Sequence, residues 1–253
     1  MLGYYHSEAV LESGFNVILT DIDKKKLNET TVKLKKKFPN ANIISKICDI
    51  TNELNIKKLQ QNLKRNKIHI SCLINNADVN PSMIGRKINS KLEFYSSKRL
   101  LKEISVGIIG TFNCCKFFGT EMAKKMNGVI INISSDLGIN APDQRVYHKS
   151  ENFSKIKNFK PIGYSISKHG IAGITKYVST YWGYKNVRCN TLALGAVFNN
   201  QQKYLITNVK KRIPLNRWAK RDEYKKAIQF LVSEKNSYMT GQTLIIDGGR
   251  TIW

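Results

Sequence analysis

Short apolar runs alternate with longer amphipathic stretches along this whole chain. The runs at residues 17–20, 128–133 and 243–246 are rich in β-branched side chains and contain almost no polar interruption. Strands of this kind are buried on both faces, as they are in a parallel sheet. The strand–helix alternation therefore predicts an α/β fold with a Rossmann-like, doubly wound parallel sheet.

The same pattern fixes the predicted elements. We predict strands at residues 15–20, 41–48, 68–74, 128–133, 187–192 and 243–246. We predict helices at residues 24–36, 52–66, 96–125, 164–184 and 221–232. No repeat or linker divides the chain, so we expect one dinucleotide-binding type of domain over residues 1–253, with a polar insert near 141–161.

The net charge of +24 fits either a nucleic-acid surface or a generally lysine-rich composition. The lysines are spread through helical stretches such as 33–37, 57–67 and 220–226, and they form no single basic arm. This distribution favours the second explanation, so no nucleic-acid partner is expected. A basic surface still attracts anionic small molecules.

Several simple features bear on the location of the protein. No apolar run reaches about 18 residues, so no membrane partner is expected, and the first residues lack the pattern of a secretory signal. The five cysteines form no CxxC pair, which indicates buried thiols in a reducing, cytoplasmic environment. The four histidines lack ligand spacing, so no metal is expected.

A phenol and an ammonium lie four residues apart at Tyr164 and Lys168. At helical spacing they share one face, and a nearby ammonium lowers the pKa of a tyrosine from about 10 toward the working pH. A tyrosine tuned in this way can act as a general acid or base. The spacing alone is weak evidence, because Tyr181 and Lys185 repeat it and such pairs are commonly solvated helix faces.

The context of the first pair separates it from the second. The strand at 128–133 runs directly into Ser134 and Ser135, and ligands of doubly wound sheets bind at the carboxyl ends of strands. Tyr164 begins the next helix at the same edge, whereas Tyr181 lies nearly five turns further along. A serine at this place can donate a hydrogen bond to a developing alkoxide, although strand-end serines also serve simply as turn residues.

Five motifs together resemble the short-chain dehydrogenase/reductase family. They are Asn132-Ile-Ser-Ser135, Tyr164-xxx-Lys168, Asp247-Gly-Gly249, Asn75-Asn-Ala77 and Asp49-Ile-Thr51. The resemblance extends from Gly3 to the C-terminus. It implies an NAD(P)-dependent oxidoreductase that interconverts a secondary alcohol and a carbonyl on a small polar substrate, for example one derived from a sugar.

The resemblance also implies roles for individual residues. Tyr164 would exchange a proton with the substrate oxygen, Lys168 would bind the nicotinamide ribose and lower the pKa of Tyr164, and Ser135 would orient the substrate. The expected cofactor-binding residues are Gly3, Asp21, Asp49, Ile50, Asn75, Ala77 and Lys168. The family commonly forms dimers or tetramers through two long helices, here 96–125 and 164–184, so a homodimer or homotetramer is expected.

The expected cofactor is NAD rather than NADP. Asp21 ends the strand at 15–20, and a carboxylate there accepts both hydroxyls of the adenosine ribose and repels a 2′-phosphate. The next residue is Ile22 and not a cation. A strand-end aspartate can instead cap the following helix, but Asp23 is better placed for that.

The start of the chain departs from the family pattern. Met1-Leu-Gly3 resembles the last glycine of the phosphate-binding turn, so the sheet is expected to lack its first, central strand and most of that turn. Either Met1 is an internal methionine of a longer protein, or the chain is a truncated copy. A truncated copy makes the alternative function, a non-catalytic remnant or binding protein, credible.

Two further departures lie beside the expected site. The family's Asn-Asn-Ala-Gly reads Asn75-Asn-Ala-Asp78, which places a carboxylate near the cofactor. The family often has a catalytic Asn in the long central helix, and Gly107 stands at that place. A proton relay through such an Asn and a bound water is therefore not expected in its usual form.

The polar insert near 141–161 separates Ser135 from Tyr164 and should lie over the substrate. As a hypothesis, Gln144, Arg145, Tyr147 and His148 contact a polar, anionic substrate such as a sugar acid. The alternative is a solvated insert without a role.

Overall fold

The computed structural model describes residues 2–79, 90–149 and 159–253. Its strands are β1 (Val17–Asp21), β2 (Ile43–Ile47), β3 (Cys72–Asn75), β4 (Gly128–Ser135), β5 (Val187–Leu194) and β6 (Thr243–Ile246). Its α-helices are α1 (Leu2–Glu12), α2 (Lys24–Lys37), α3 (Glu53–Arg65), α4 (Ser97–Ile104), α5 (Thr111–Cys114), α6 (Thr120–Lys124), α7 (Ile162–Trp182), α8 (Lys203–Lys210) and α9 (Lys225–Val232).

All strand pairs in the described residues are parallel, as predicted. One sheet has the order β3-β4-β5-β6 and the other pairs β1 with β2. Helices connect successive strands, which gives the Rossmann-like α/β architecture that the alternation indicates. Because the strands are parallel, their carboxyl ends meet at one edge of the sheet.

The two faces of β4 pack against different helix layers. Ile131 and Ile133 lie in a core cluster with residues of α1 and α9. Ile130 lies in a second cluster with residues of α6 and α7. All three side chains are nearly or completely buried. Burial on both faces explains why the strand sequence is almost uninterrupted by polar residues.

Asn132 is the polar exception in the middle of β4, and it is fully buried. Its Oδ1 accepts a hydrogen bond from Nδ2 of Asn75 in β3 at 2.8 Å, and its Nδ2 donates to Oγ1 of Thr175 in α7 at 2.9 Å. The Thr175 hydroxyl in turn lies 2.7 Å from that of Thr191 in β5. This chain of hydrogen bonds ties three strands and α7 together at one height.

The predicted helix at 96–125 is one continuous helical path, but it is not uniformly α-helical. Two π-helical segments, Ser105–Gly110 and Cys115–Gly119, join α4, α5 and α6. The backbone stays in the right-handed helical region at the junctions, for example at Ser105 and Cys115. The wider turns change which side chains face the sheet, a change that the sequence period does not reveal.

Other element bounds differ from prediction mainly at their ends. The strand predicted from residue 68 begins at Cys72, because the chain first leaves α3 through Lys67, whose φ is +56°. The helix predicted from residue 221 begins at Lys225, and α8 was not predicted at all. Asp23 caps α2 as expected, since its side chain accepts from the backbone N–H of Lys26.

The first element described is α1, and β1 and β3 share no hydrogen-bonded ladder in the described residues. The two sheets are instead connected by helix packing, because Leu11 of α1 joins the cluster beside β1 while Ala9 and Val10 join the cluster under β4.

We predict that Asn132→Ala lowers the free energy of unfolding by about 3 kcal/mol, because it leaves the buried Asn75 and Thr175 groups without a partner. The melting temperature measured by circular dichroism should fall by roughly 10 °C in a chain of this size. Asn62→Ala, a change at an exposed position of α3, is the control and should move stability by less than about 0.5 kcal/mol. Equal melting temperatures for both variants would contradict the importance of the network.

Candidate active site

The carboxyl end of β4 delivers two serines with different partners. Ser134 donates from its Oγ to the backbone oxygen of Lys168 at 2.8 Å, so it fastens the strand end to α7. Ser135 donates from its Oγ to Oδ1 of Asp136 at 2.7 Å and accepts from the backbone N–H of Leu137 at 3.2 Å. Of the two, Ser135 is the serine that lowers the pKa of the Tyr164 hydroxyl.

Gly138 lets this strand end approach α7 closely. A Cβ at residue 138 would lie 2.5 Å from the backbone oxygen of Lys168 and 2.5 Å from Oγ of Ser134. Backbone cannot yield cheaply to such a contact, so the short 3₁₀ turn Asp136–Gly138 needs glycine at its end. The close approach brings Ser135 within reach of the first turn of α7.

The structure brings Ser135, Tyr164 and Lys168 together, as the sequence predicts. Tyr164 lies in the first turn of α7, and the Nζ of Lys168 lies 5.6 Å from the centroid of its ring. Lys168 is buried, donates from its Nζ to the backbone oxygen of Ile133 at 3.0 Å and pairs with Oδ2 of Asp78 at 2.8 Å.

The pKa of Tyr164 is not lowered, contrary to our expectation from the ammonium alone. Burial, the largest cause, raises it well above its usual range. The nearby Ser135 hydroxyl lowers this pKa, while the charges of Asp78 and Asp136 and the nearby Tyr147 raise it further. The expectation considered Lys168 but not the desolvation and the carboxylates that oppose it. Burial therefore favours the protonated form of the phenol.

A second lysine that sequence reasoning missed faces the tyrosine. The Nζ of Lys160 lies 3.9 Å from the centroid of the Tyr164 ring, a cation–π geometry. Burial lowers the pKa of Lys160 to about 8, although the charges of Asp136 and Asp78 oppose that shift. Lys160 lies just before Pro161 and the start of α7, four residues before Tyr164. That proximity in the sequence could have indicated a contact, but the motif covers only Tyr164 and Lys168.

An ion pair behind Ser135 was also missed. Nη1 of Arg250 lies 2.6 Å from Oδ2 of Asp136, and both side chains are almost completely buried. Burial raises the pKa of the nearby Tyr147, and the charge of Arg250 opposes that shift. Asp247 shapes the turn that carries this arginine, because its carboxylate accepts from the backbone N–H groups of Gly249 and Thr251 at 2.8 Å each.

The candidate substrate residues do not form one surface. Gln144 accepts from the backbone N–H of Lys160 at 2.8 Å, and Tyr147 lies beside Arg250 at the site. Arg145 is exposed and pairs with Asp143 at 2.8 Å. The backbone oxygen of His148 accepts from Asn208 at 2.9 Å, next to α8. The part of the insert at 150–158 lies outside the described residues.

The cofactor candidates of the first sheet lie at strand ends. Asp21 is exposed at the end of β1, and its Oδ1 accepts from the backbone N–H of Asp23 at 2.9 Å. Asp49 accepts from both the N–H and the hydroxyl of Thr51 at 2.9 and 2.7 Å. The backbone oxygen of Ile50 accepts from Asn113 of α5 at 3.1 Å, which connects this loop to the long helix.

The candidates near β3 have separate tasks. The side-chain amide of Asn75 is used inside the sheet, where its Nδ2 donates to Asn132 at 2.8 Å. Ala77 is exposed just beyond that end. Gly3 lies at the start of α1, where a Cβ would come 3.2 Å from Nδ2 of Asn76.

These residues fit a dinucleotide at its two riboses. Asp21 offers an exposed carboxylate at the end of β1, and Lys168 offers a buried ammonium below Tyr164. Both lie at the carboxyl edge, where dinucleotides bind in this type of fold. Within residues 2–79, 90–149 and 159–253, no three His, Cys, Asp or Glu side chains gather as a candidate metal site.

A family model described as enoyl-(acyl carrier protein) reductase matches residues 2–251, which is nearly the whole chain. The chain belongs to the short-chain dehydrogenase/reductase family. The oxidoreductases of this family act on CH–OH and carbonyl groups and use NAD or NADP. The resemblance read from the five motifs is thereby confirmed.

The similar proteins cover most of this chain. A 3-oxoacyl-[acyl-carrier-protein] reductase of Thermotoga maritima is 29% identical over 245 residues, which are 95% of this chain and 89% of that protein. One from Chlamydia trachomatis is 30% identical over 208 residues, 80% of this chain and 74% of that protein. The crystal structure of a gluconate 5-dehydrogenase from Burkholderia cenocepacia, with NADP and tartrate, has a TM-score of 0.85 at 20% identity and covers 100% of this chain and 92% of that one.

In the described residues, no helix is both long enough and apolar enough to cross a membrane.

Proposed function

We propose that this chain is an NAD-dependent oxidoreductase that interconverts a secondary alcohol and a carbonyl on a small polar substrate. One observation carries the proposal: the Lys168 ammonium lies 5.6 Å from the centroid of the Tyr164 ring, and the Ser135 hydroxyl at the end of β4 is close enough to Tyr164 to lower its pKa. The same residues would then be the catalytic group, within a single domain over residues 1–253.

A proton donor is needed when a carbonyl is reduced. When bound, a nicotinamide supplies or accepts the hydride at the carbon. The Tyr164 hydroxyl gives its proton to the carbonyl oxygen as the alcohol forms, and the tyrosinate takes the proton back in the oxidation. Because the pKa of Tyr164 is raised, the phenol is fully protonated near neutral pH and ready for the reductive direction.

Ser135 and Lys168 serve Tyr164 in different ways. The Ser135 hydroxyl lies between Tyr164 and Asp136, where it can donate to the substrate oxygen or accept from it. Lys168 donates to Ile133 and pairs with Asp78, which holds its ammonium at the place where a nicotinamide ribose would lie. Positioning of this kind lowers the entropy cost of the reaction.

The preference for NAD rests on the end of β1. The exposed carboxylate of Asp21 would accept the ribose hydroxyls and repel a 2′-phosphate. The neighbouring Lys26 pairs with Asp23 at 3.0 Å. A structural relative from Leptospira borgpetersenii, 25% identical with a TM-score of 0.83 over 99% of this chain and 88% of that one, has NAD⁺ bound.

A polar substrate is favoured by the charged groups around Tyr164. Lys160, Tyr147 and the Asp136–Arg250 pair all lie beside the candidate proton donor. An apolar substrate would leave these groups desolvated without new partners. Gln144 and Tyr147 of the insert would act on this substrate, Gln144 through its hydrogen bond to the backbone N–H of Lys160.

We also propose that copies of the chain assemble as a dimer or tetramer through the two long helices. On α7, the exposed rings of Tyr177 and Tyr181 stack with centroids 5.8 Å apart. On the other helical path, Leu101, Ile109 and Phe112 are exposed. The five unpaired cysteines support a reducing location, which we propose to be the cytoplasm.

The activity prediction compares two tyrosines with the same spacing to a lysine. The purified protein reduces members of a panel of ketoses and keto acids with NADH, and more slowly with NADPH, as followed by absorbance at 340 nm. Tyr164→Phe should lose about 10²- to 10⁴-fold in kcat, because it removes the proton donor. Tyr181→Phe, four residues before Lys185, should retain the activity of the unchanged protein.

Three outcomes would contradict this proposal. Equal loss in both variants would show that Tyr164 has no special role. Binding of NADH without turnover on any substrate would favour the non-catalytic alternative. A preference for NADPH would contradict the role assigned to Asp21.

The assembly prediction uses the exposed aromatic pair. The unchanged protein should have a mass of two or four chains by light scattering after size-exclusion chromatography. Tyr177→Lys combined with Tyr181→Lys should shift it toward the monomer, because charges are introduced where two copies meet. A monomeric unchanged protein, or an oligomer that resists both substitutions, would refute the assembly through this face.

A further inference from the structure

Asp78 is placed beside the candidate active site by the end of β3. Its side chain is only 11% exposed, and its Oδ2 lies 2.8 Å from the Nζ of Lys168, which is itself 6% exposed. Its Oδ1 accepts from the backbone N–H of Val79 at 2.7 Å, which fixes the direction of the carboxylate. Two buried charges at this distance stabilise each other, and removal of one leaves the other uncompensated.

Gly107 leaves the space that this carboxylate uses. A Cβ at residue 107 would lie 2.9 Å from Oδ1 of Asp78 and 2.7 Å from the Cβ of Ser167 in α7. Real side chains essentially never approach so closely, so any larger residue at 107 would displace Asp78 or push the helices apart. Asp78 and Gly107 therefore depend on each other sterically.

The local backbone supports the same relation. Gly107 lies in the π-helical segment Ser105–Gly110, and its backbone oxygen accepts from the Thr111 hydroxyl at 2.8 Å. Segments of this type often occur at functional sites. The glycine is buried and faces Asp78 and α7, not solvent.

Both residues are departures from the family pattern, and they lie against each other. The pattern has a glycine at residue 78 and an asparagine at residue 107, so a polar side chain would reach this place from the long helix. In this chain the polar side chain comes from the strand end, and the helix position is empty. The polar group beside Lys168 in this chain is the Asp78 carboxylate.

We propose that Asp78 is a positioning residue of the reaction, which holds the Lys168 ammonium from the strand side in the space that Gly107 leaves. The proposal rests on the proposed function, because it concerns the lysine assigned to the nicotinamide ribose. Asp78 acts through Lys168. The ion pair prepares the ammonium, together with its bond to the Ile133 backbone, before a cofactor arrives.

The first test needs no cofactor. The protein is treated with a water-soluble acetylating reagent, and the rate of modification at Lys168 is measured by peptide mass spectrometry relative to the exposed Lys125. Asp78→Asn keeps the shape of the side chain but removes its charge, and it should raise the relative rate at Lys168 at least about fivefold. Asp222→Asn, which removes an exposed carboxylate elsewhere, should leave the rate unchanged.

The second test measures NADH binding by fluorescence titration at a temperature where circular dichroism shows every variant folded. Asp78→Asn should weaken binding about tenfold, and Gly107→Ala should weaken it as well because its Cβ displaces Asp78. The double variant should bind no more weakly than the weaker single variant, since both changes break the same contact. Asp222→Asn should bind NADH as the unchanged protein does.

The outcomes separate this proposal from the proposed function. If the unchanged protein fails to bind NADH, the proposed function fails, but the modification rate at Lys168 still decides whether Asp78 holds the ammonium. An unchanged rate in Asp78→Asn would overturn the positioning role. Tighter NADH binding by Asp78→Asn would also overturn it, because Asp78 would then compete with the cofactor for Lys168.

Discussion

Burial of β4 on both faces is the constraint on which the rest of the structure depends. The strand is covered by α1 and α9 on one side and by α7 on the other, so its only route to solvent is at its ends. Buried hydrogen bonds that start from Asn132 fix the alignment of β4 with β3, β5 and α7. The position of Ser135 at the sheet edge follows from that register, and the position of Tyr164 follows from the contact between Gly138 and α7.

The same burial controls the electrostatics of the site. Charges at this edge cannot rely on water and are held in close pairs, Lys168 with Asp78 and Arg250 with Asp136. Lys168 and Arg250 are each accompanied by a carboxylate, which offsets their positive charge at the phenol. Desolvation then dominates, and the pKa of Tyr164 rises above its usual range.

The sequence was sufficient for features that depend on local pattern. Parallel strands, the helices between them and the convergence of Ser135, Tyr164 and Lys168 follow from periodicity and motif spacing. The π-helical turns, α8 and the late start of β3 could not be predicted, because they depend on packing and on single backbone conformations such as that of Lys67. Spacing also gives no information on which residues approach from distant segments. Arg250 reaches Asp136 from 114 residues away along the chain. The expectation that Lys168 lowers the pKa of Tyr164 was wrong because burial and the carboxylates of Asp78 and Asp136, which come from other segments, raise that pKa.

The ionisation of Tyr164 tests most directly the claim that burial and paired charges set the chemistry of this edge. The protein can be labelled with ¹³C at the ζ carbon of its 11 tyrosines, and the Tyr164 resonance can be assigned by its absence in Tyr164→Phe. We predict that this resonance titrates above the ordinary tyrosine pKa of about 10 and stays in its protonated position through neutral pH. A titration below that value would show that the Lys168 ammonium dominates, and it would contradict the account.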